Sequence, residues 1–271
     1  MLAGFSPARR RLLLTLLGAV VLAVVLAVTL PLLTGAGGDD GPVAAADPQT
    51  PGPVLLVPGS GGSTSSLQTL ADRLTATGRD ATVVTVPAQG TGDLHASADA
   101  LGAAVDAALA RTGADSVDVV GYSAGGVIAR LWAADGGAER ARRIVTLGSP
   151  HHGTTIADLA AGVLPAECPA GCRQLATDSP LLAELNAHDE TPGGPSWVSI
   201  WTTSDETVTP PESARLAGAL ELPVQSVCAD STATHGQLPT DPLVQSMVLA
   251  ELAPGNPVPL TSADCARLRQ G

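Results

Sequence analysis

Hydrophobic residues along the chain fall into two patterns: short unbroken apolar runs ended by Gly or Pro, and longer stretches with apolar residues three or four apart. "PVLLVPG" (53–59) is the first short run and predicts a buried strand. Residues 65–77 place Leu67, Leu70 and Leu74 at helical spacing, with Gly78 as a stop signal. "ATVVTVP" predicts a second strand, residues 96–111 a helix ended by Gly113, "SVDVVGY" a third strand, and residues 124–134 a helix running into "DGG". "RRIVTLG", "SWVSIWTT" and "VQSVCA" predict three further strands, and residues 242–253 a closing helix. Strands of continuous Val, Ile and Leu that alternate with helices predict the α/β class: a mostly parallel sheet of about six strands with helices on both faces. Residues 153–195 break this rhythm with prolines, two cysteines and short helical pieces, and read as a small insertion over a site.

A third pattern opens the chain. Arg9, Arg10 and Arg11 precede residues 12–33, an apolar run without a charge. Its length favours a signal anchor for residues 1–34, with a cleaved signal peptide as the alternative, since Thr34-Gly35-Ala36 and Ala44-Ala45-Ala46 offer small-residue cleavage sites. Either way the arginines stay cytoplasmic and the rest of the chain is expected outside, membrane-anchored or secreted. Residues 35–52 read as a Gly/Pro/Ala linker. Residues 53–271 are then expected to form the folded domain.

Charge and composition narrow the function. The formal net charge is −12, and setting aside the N-terminal arginines makes the remainder more acidic still, so nucleic acid and anionic membrane surfaces are not expected partners of the domain. No lysine occurs, which excludes a GxxxxGK[ST] phosphate loop and Schiff-base chemistry. Three Trp, one Tyr and one Phe supply little for base or sugar stacking. The four cysteines of an exported chain read as two disulfides, and of the three possible pairings Cys168–Cys172 with Cys228–Cys265 is expected. A C-x3-C spacing without a C-x2-C partner suits zinc poorly.

Candidate chemistry centres on "VDVVGYSAGGVIAR" (117–130). A bare GxSxG arises readily by chance in a chain this rich in glycine, so context carries the inference. Ser123 follows a buried strand, opens a helix and is flanked by small residues, as a hydroxyl lifted clear of a sheet requires. A serine needs a base and a group that orients the base. His95 precedes the serine, His151 and His152 come too early, and His188 lies in the insertion, which leaves His235 as the base. The acid falls between Ser123 and His235 just past a strand end, where Asp205 is favoured and Glu206 and Asp230 are rivals. The backbone N–H of Ala124 and that of Ser60, in "PGSGGS", are candidate donors to an oxyanion. A dinucleotide loop fits poorly there, because Thr64 stands where the third glycine belongs.

Together these residues resemble the α/β-hydrolase fold, and in particular the small secreted bacterial lipases and esterases related to Bacillus lipase A. "TGADSVDVVGYSAGG", "DGG" and "RRIVTLGSPHHGT" carry the likeness, which covers residues 53–155 and thins to short matches around Asp205 and His235. The resemblance implies hydrolysis of carboxylic esters or lipids by a Ser–His–Asp triad on Ser123, His235 and Asp205, without a metal or organic cofactor, in a chain expected to act as a monomer. "SPHHGT" also resembles a segment of larger lipases and acyltransferases, where His151 and His152 would line the pocket or serve structure. An acyltransferase passing the acyl group to an alcohol is the alternative enzyme, and a non-catalytic binding domain the alternative of another class. Two departures stand out: Pro58-Gly59 replaces the family's His-Gly, and the smallest members lack the cysteine-bearing insertion.

Overall fold

A computed structural model describes residues 45–62 and 64–270. The expected signal segment lies outside the described residues, and among the described residues no helix is long and apolar enough to cross a membrane. The strands are β1 (Val54–Val57), β2 (Ala81–Val83), β3 (Val117–Tyr122), β4 (Ala141–Leu147), β5 (Ser196–Trp201) and β6 (Leu220–Pro223). Between and after them run the helices α1 (Thr64–Ala76), α2 (Leu94–Thr112), α3 (Ala124–Ala134), α4 (Thr155–Val163), α5 (Ala170–Gln174), α6 (Pro180–Leu185), α7 (Val224–Val227), α8 (Pro242–Glu251) and α9 (Cys265–Leu268).

The strands lie in the order β2-β1-β3-β4-β5-β6, and every pairing is parallel. Successive strand side chains point to opposite faces, so an unbroken apolar run feeds two cores at once. Leu55 and Val57 of β1 join Val119, Ile144, Leu101 of α2 and Val127 of α3 in one layer. Val54 and Leu56 join Val120, Val145, Leu70 of α1 and Met247 of α8 in the other. Strand order reverses between β1 and β3, because the chain steps outward to β2 and then returns. Connections leave in opposite directions at that point and open a crevice at the C-terminal strand ends.

Two boundaries differ from the sequence expectation. "VQSVCA" is not the sixth strand: β6 ends at Pro223, and α7 follows at once with Val224 and Val227 buried three residues apart. That spacing serves one face of a helical turn, whereas a strand would have split the two valines between faces. Packed structure also begins before Pro53. The carbonyl of Pro48 accepts hydrogen bonds from Arg142 at 3.0 Å and from the Gly255 amide at 2.8 Å.

Both disulfides form as expected, Cys168–Cys172 and Cys228–Cys265. The first lies in the 153–195 insertion, which carries α4, α5 and α6. It docks through the Gly171 amide on the Thr91 carbonyl (3.0 Å) and through Gln174 on Asp93 and the Leu94 amide (2.8 Å each). On its other side the buried Arg130 of α3 donates to the carbonyls of Leu185 and Glu190 and to the Asn186 side chain.

Candidate active site

Ser123 sits between the end of β3 and the start of α3 with φ 54° and ψ −126°, a backbone conformation that strains any residue but glycine. Its amide donates to the Leu147 carbonyl (2.9 Å), and its own carbonyl accepts from Gly126 (3.1 Å), which pin the turn on both sides. The side chain makes no cap to the helix, so Oγ is free for another partner. Such a bend leaves no room beside it. A Cβ on Gly121 would stand 2.6 Å from the Gly125 carbonyl oxygen, and one on Gly125 would stand 2.2 Å from that of Val57. The glycines of the motif are therefore demanded by close approach.

That partner is His235, whose Nε2 lies 3.0 Å from Ser123 Oγ. The Nδ1–H of the same ring donates to Asp205 Oδ2 at 2.7 Å, which leaves Nε2 as the acceptor for the serine hydroxyl. Asp205 Oδ1 accepts the amides of Thr207 (2.9 Å) and Val208 (2.7 Å), so the loop after β5 holds the carboxylate from behind. Asp205 and His235 are both buried. Ser123, His235 and Asp205 thus come together in a hydrogen-bonded series at the crevice, from three separate loops.

The rival acids stand elsewhere. Glu206 is exposed, and Asp230 pairs with Arg269 at the surface. His151 is buried with Nε2 3.2 Å from Thr146 Oγ1, and burial keeps it neutral, well below the usual imidazole range. His152 meets Glu190 and the Ser213 carbonyl. His95 and His188 line a separate cavity of about 400 Å³ beside the later half of α3 and α6. Among the described residues no group of three or more His, Cys, Asp or Glu gathers as a metal would require.

Around Ser123, the Ala124 amide heads α3, where the first amides lack an intrahelical acceptor. Gly59 of the β1 loop packs so closely that a Cβ on it would lie 2.8 Å from Ser123 Cβ, and Ser60 follows, exposed, in the turn closed by Gly62 N–H to the Gly59 carbonyl (3.1 Å). Tyr122 carries no signal of its own in the sequence pattern, yet its hydroxyl donates to the His235 carbonyl (3.2 Å), and its ring lies 5.2 Å from the imidazole. Burial, with the Asp205 charge adding, pushes its phenol up to about 12, so it stays a neutral donor.

A family profile described as alpha/beta hydrolase fold matches residues 52–167. The match takes in β1 to β4, the Ser123 turn and the start of the insertion. This chain has the α/β-hydrolase fold. Among solved α/β structures, Aspergillus fumigatus lipase B superposes with a TM-score of 0.65 at 17% identity, over 82% of this chain and 56% of that one. Bacillus licheniformis lipase BlEst2 in mature form gives 0.53 at 22% identity over 67% and 86%, and the product of the lin2722 gene of Listeria innocua 0.51 at 17% over 73% and 92%. This hydrolase-fold chain spans little more than half the length of the Aspergillus protein. No curated protein matches it in sequence.

Proposed function

We propose that this protein is a serine hydrolase that cleaves carboxylic esters, of lipase or esterase type, outside the cytoplasm. The observation that carries the proposal is the series Ser123 Oγ, His235 Nε2 and Nδ1, Asp205 Oδ2, spaced at 3.0 and 2.7 Å. In the reaction His235 takes the Ser123 proton as Oγ attacks the ester carbonyl, while Asp205 holds the ring in the required tautomer and stabilises the imidazolium. The tetrahedral oxyanion accepts hydrogen bonds from the Ala124 and Ser60 amides. Collapse releases the alcohol, which takes the proton from His235 and leaves an acyl-serine. Water, deprotonated by the same imidazole, then frees the acid and restores the serine.

Apolar esters fit the surroundings. Ile156, Leu159, Val163 and Leu164 stand exposed at and just beyond α4, on the insertion next to the Asp205 loop, and exposed apolar clusters mark ligand or lipid contacts. Two disulfides and the arginine-led apolar segment of residues 9–33 support an oxidising, extracytoplasmic setting. The reading agrees with the names of the two lipases above and rests on the site itself. It is tested with a fluorophosphonate probe followed by peptide mass spectrometry. Wild type is expected to carry the label on Ser123 and Ser123→Ala none. A folded wild type without label, or label on another residue, refutes it.

A further inference from the structure

The loop that holds Asp205 is itself held by the insertion. Thr154, buried and immediately before α4, donates its hydroxyl to the Thr207 carbonyl at 2.8 Å and accepts the Thr209 amide at 3.1 Å. Next to it the Thr155 amide donates to the Thr209 carbonyl at 2.9 Å. The same Thr154 oxygen accepts the Ile156 amide at 3.3 Å as the N-cap of α4. The Thr207 carbonyl lies in the same planar peptide as the Val208 amide, which donates to Asp205 Oδ1 at 2.7 Å. One hydroxyl therefore fixes the carbonyl end of a peptide whose N–H end orients the acid.

We propose that Thr154 is a positioning residue for Asp205, so that the insertion acts as a strut of the reacting site as well as a wall beside it. The inference rests on the reading of Ser123, His235 and Asp205 given above. A carboxylate aims its two oxygens by the peptides it binds, and those peptides turn as units because each is planar. Freeing the Thr207 carbonyl lets the Thr207–Val208 peptide rotate, and the Val208 N–H swings away from Oδ1 as it does so. Oδ2 then loses its alignment on His235 Nδ1, and the ring loses the hold that presents Nε2 to the serine. Thr155 also ties the start of α4 to Thr209, through its amide and through its hydroxyl (2.6 Å to Thr209 Oγ1), but these bonds do not touch the peptide that holds Asp205. Small displacements of the insertion are thereby passed to the peptide that holds the acid through the Thr154 hydroxyl.

The test compares wild type, Thr154→Val, Thr154→Ser, Asp205→Ala and the double variant Thr154→Val/Asp205→Ala on a soluble short-chain p-nitrophenyl ester. Rates are expressed per site titrated with fluorophosphonate, and folding is checked by circular dichroism. Valine keeps the shape and loses the hydroxyl. We expect its kcat to fall on the order of tenfold or more, with KM within about twofold, because an acid out of line affects the transition state and not ground-state binding. Thr154→Ser restores kcat to near wild type. In the Asp205→Ala background the valine change costs nothing further, since two residues acting through one contact are not additive.

A kcat within twofold of wild type for Thr154→Val, or an equal loss in both backgrounds, overturns the proposal while leaving the site reading intact. Full activity in Asp205→Ala overturns the site reading itself. Should the valine variant not fold, Thr154→Ala is read in the same way; if neither folds, the hydroxyl serves the fold alone and the proposal falls.

Discussion

Replacing Ser123 by glycine removes the hydroxyl proposed to react and, on this structure, makes the protein more stable than replacing it by alanine. Both variants lose the 3.0 Å contact with His235, and neither forfeits a helix cap, because the serine side chain makes none. They differ in the backbone. At φ 54°, ψ −126° a residue with a Cβ carries roughly 1–3 kcal/mol of strain that glycine does not. Glycine gives back about 0.4–1 kcal/mol through the greater freedom of its unfolded chain. The balance favours Ser123→Gly over Ser123→Ala by up to about 2.6 kcal/mol and by about 1.3 kcal/mol at mid-range, the latter being roughly 3–5 °C in Tm for a domain of this size. Thermal unfolding of the two variants by circular dichroism or calorimetry, at one pH and scan rate, reads the difference directly. Equal midpoints, or alanine the more stable, would mean that position 123 is not strained and that the turn is imposed by something other than the need to present a hydroxyl.

Two further predictions concern stability. Cys228–Cys265 closes a loop with a sequence separation of 37, for which chain entropy gives about 4 kcal/mol, against about 2 kcal/mol for the separation of 4 at Cys168–Cys172. Urea unfolding of the two double-serine variants should therefore show the larger loss at Cys228/Cys265, and the reverse order would refute this weighting. Glu251 is buried with one oxygen unpartnered, and burial pushes its carboxyl up to about 7, the Val258 amide and Arg143 opposing. A carboxyl raised in the folded state adds stability that is complete below its ordinary 4.5 and lost as pH rises through 7. Glu251→Gln should then be more stable than wild type above pH 7, by at most about 3 kcal/mol, with the two curves meeting below pH 4.5. Parallel curves across that range would show that Glu251 does not titrate there.

What the sequence reveals and what it hides divide along physical lines. Ser123 is legible because its surroundings are local: a buried run, two glycines that close contacts demand, and a helix, all within one short segment. Asp205 and His235 are legible as candidates through chain order and strand ends, and of the three acids it is Asp205 that hydrogen-bonds His235, whereas Asp230 pairs with Arg269. The sixth strand is misread because Val224 and Val227 suit a short strand as well as a helical turn, and only their shared burial against one layer decides. The partners of Pro48 are hidden because they come from Arg142 and Gly255, far along the chain. Thr154 is hidden for the same reason. Its bonds to Thr207 and Thr209 exist only once the insertion has folded back on the loop after β5.

The borders of the sheet bear on how the molecule behaves in company. At one margin β2 offers only Ala81–Val83, and at the other β6 finishes in Pro223, which has no amide hydrogen to lend. A foreign strand seeking to extend the array meets too short a template on either flank. At high protein concentration that brevity guards against ribbon-like growth by edge-to-edge strand pairing.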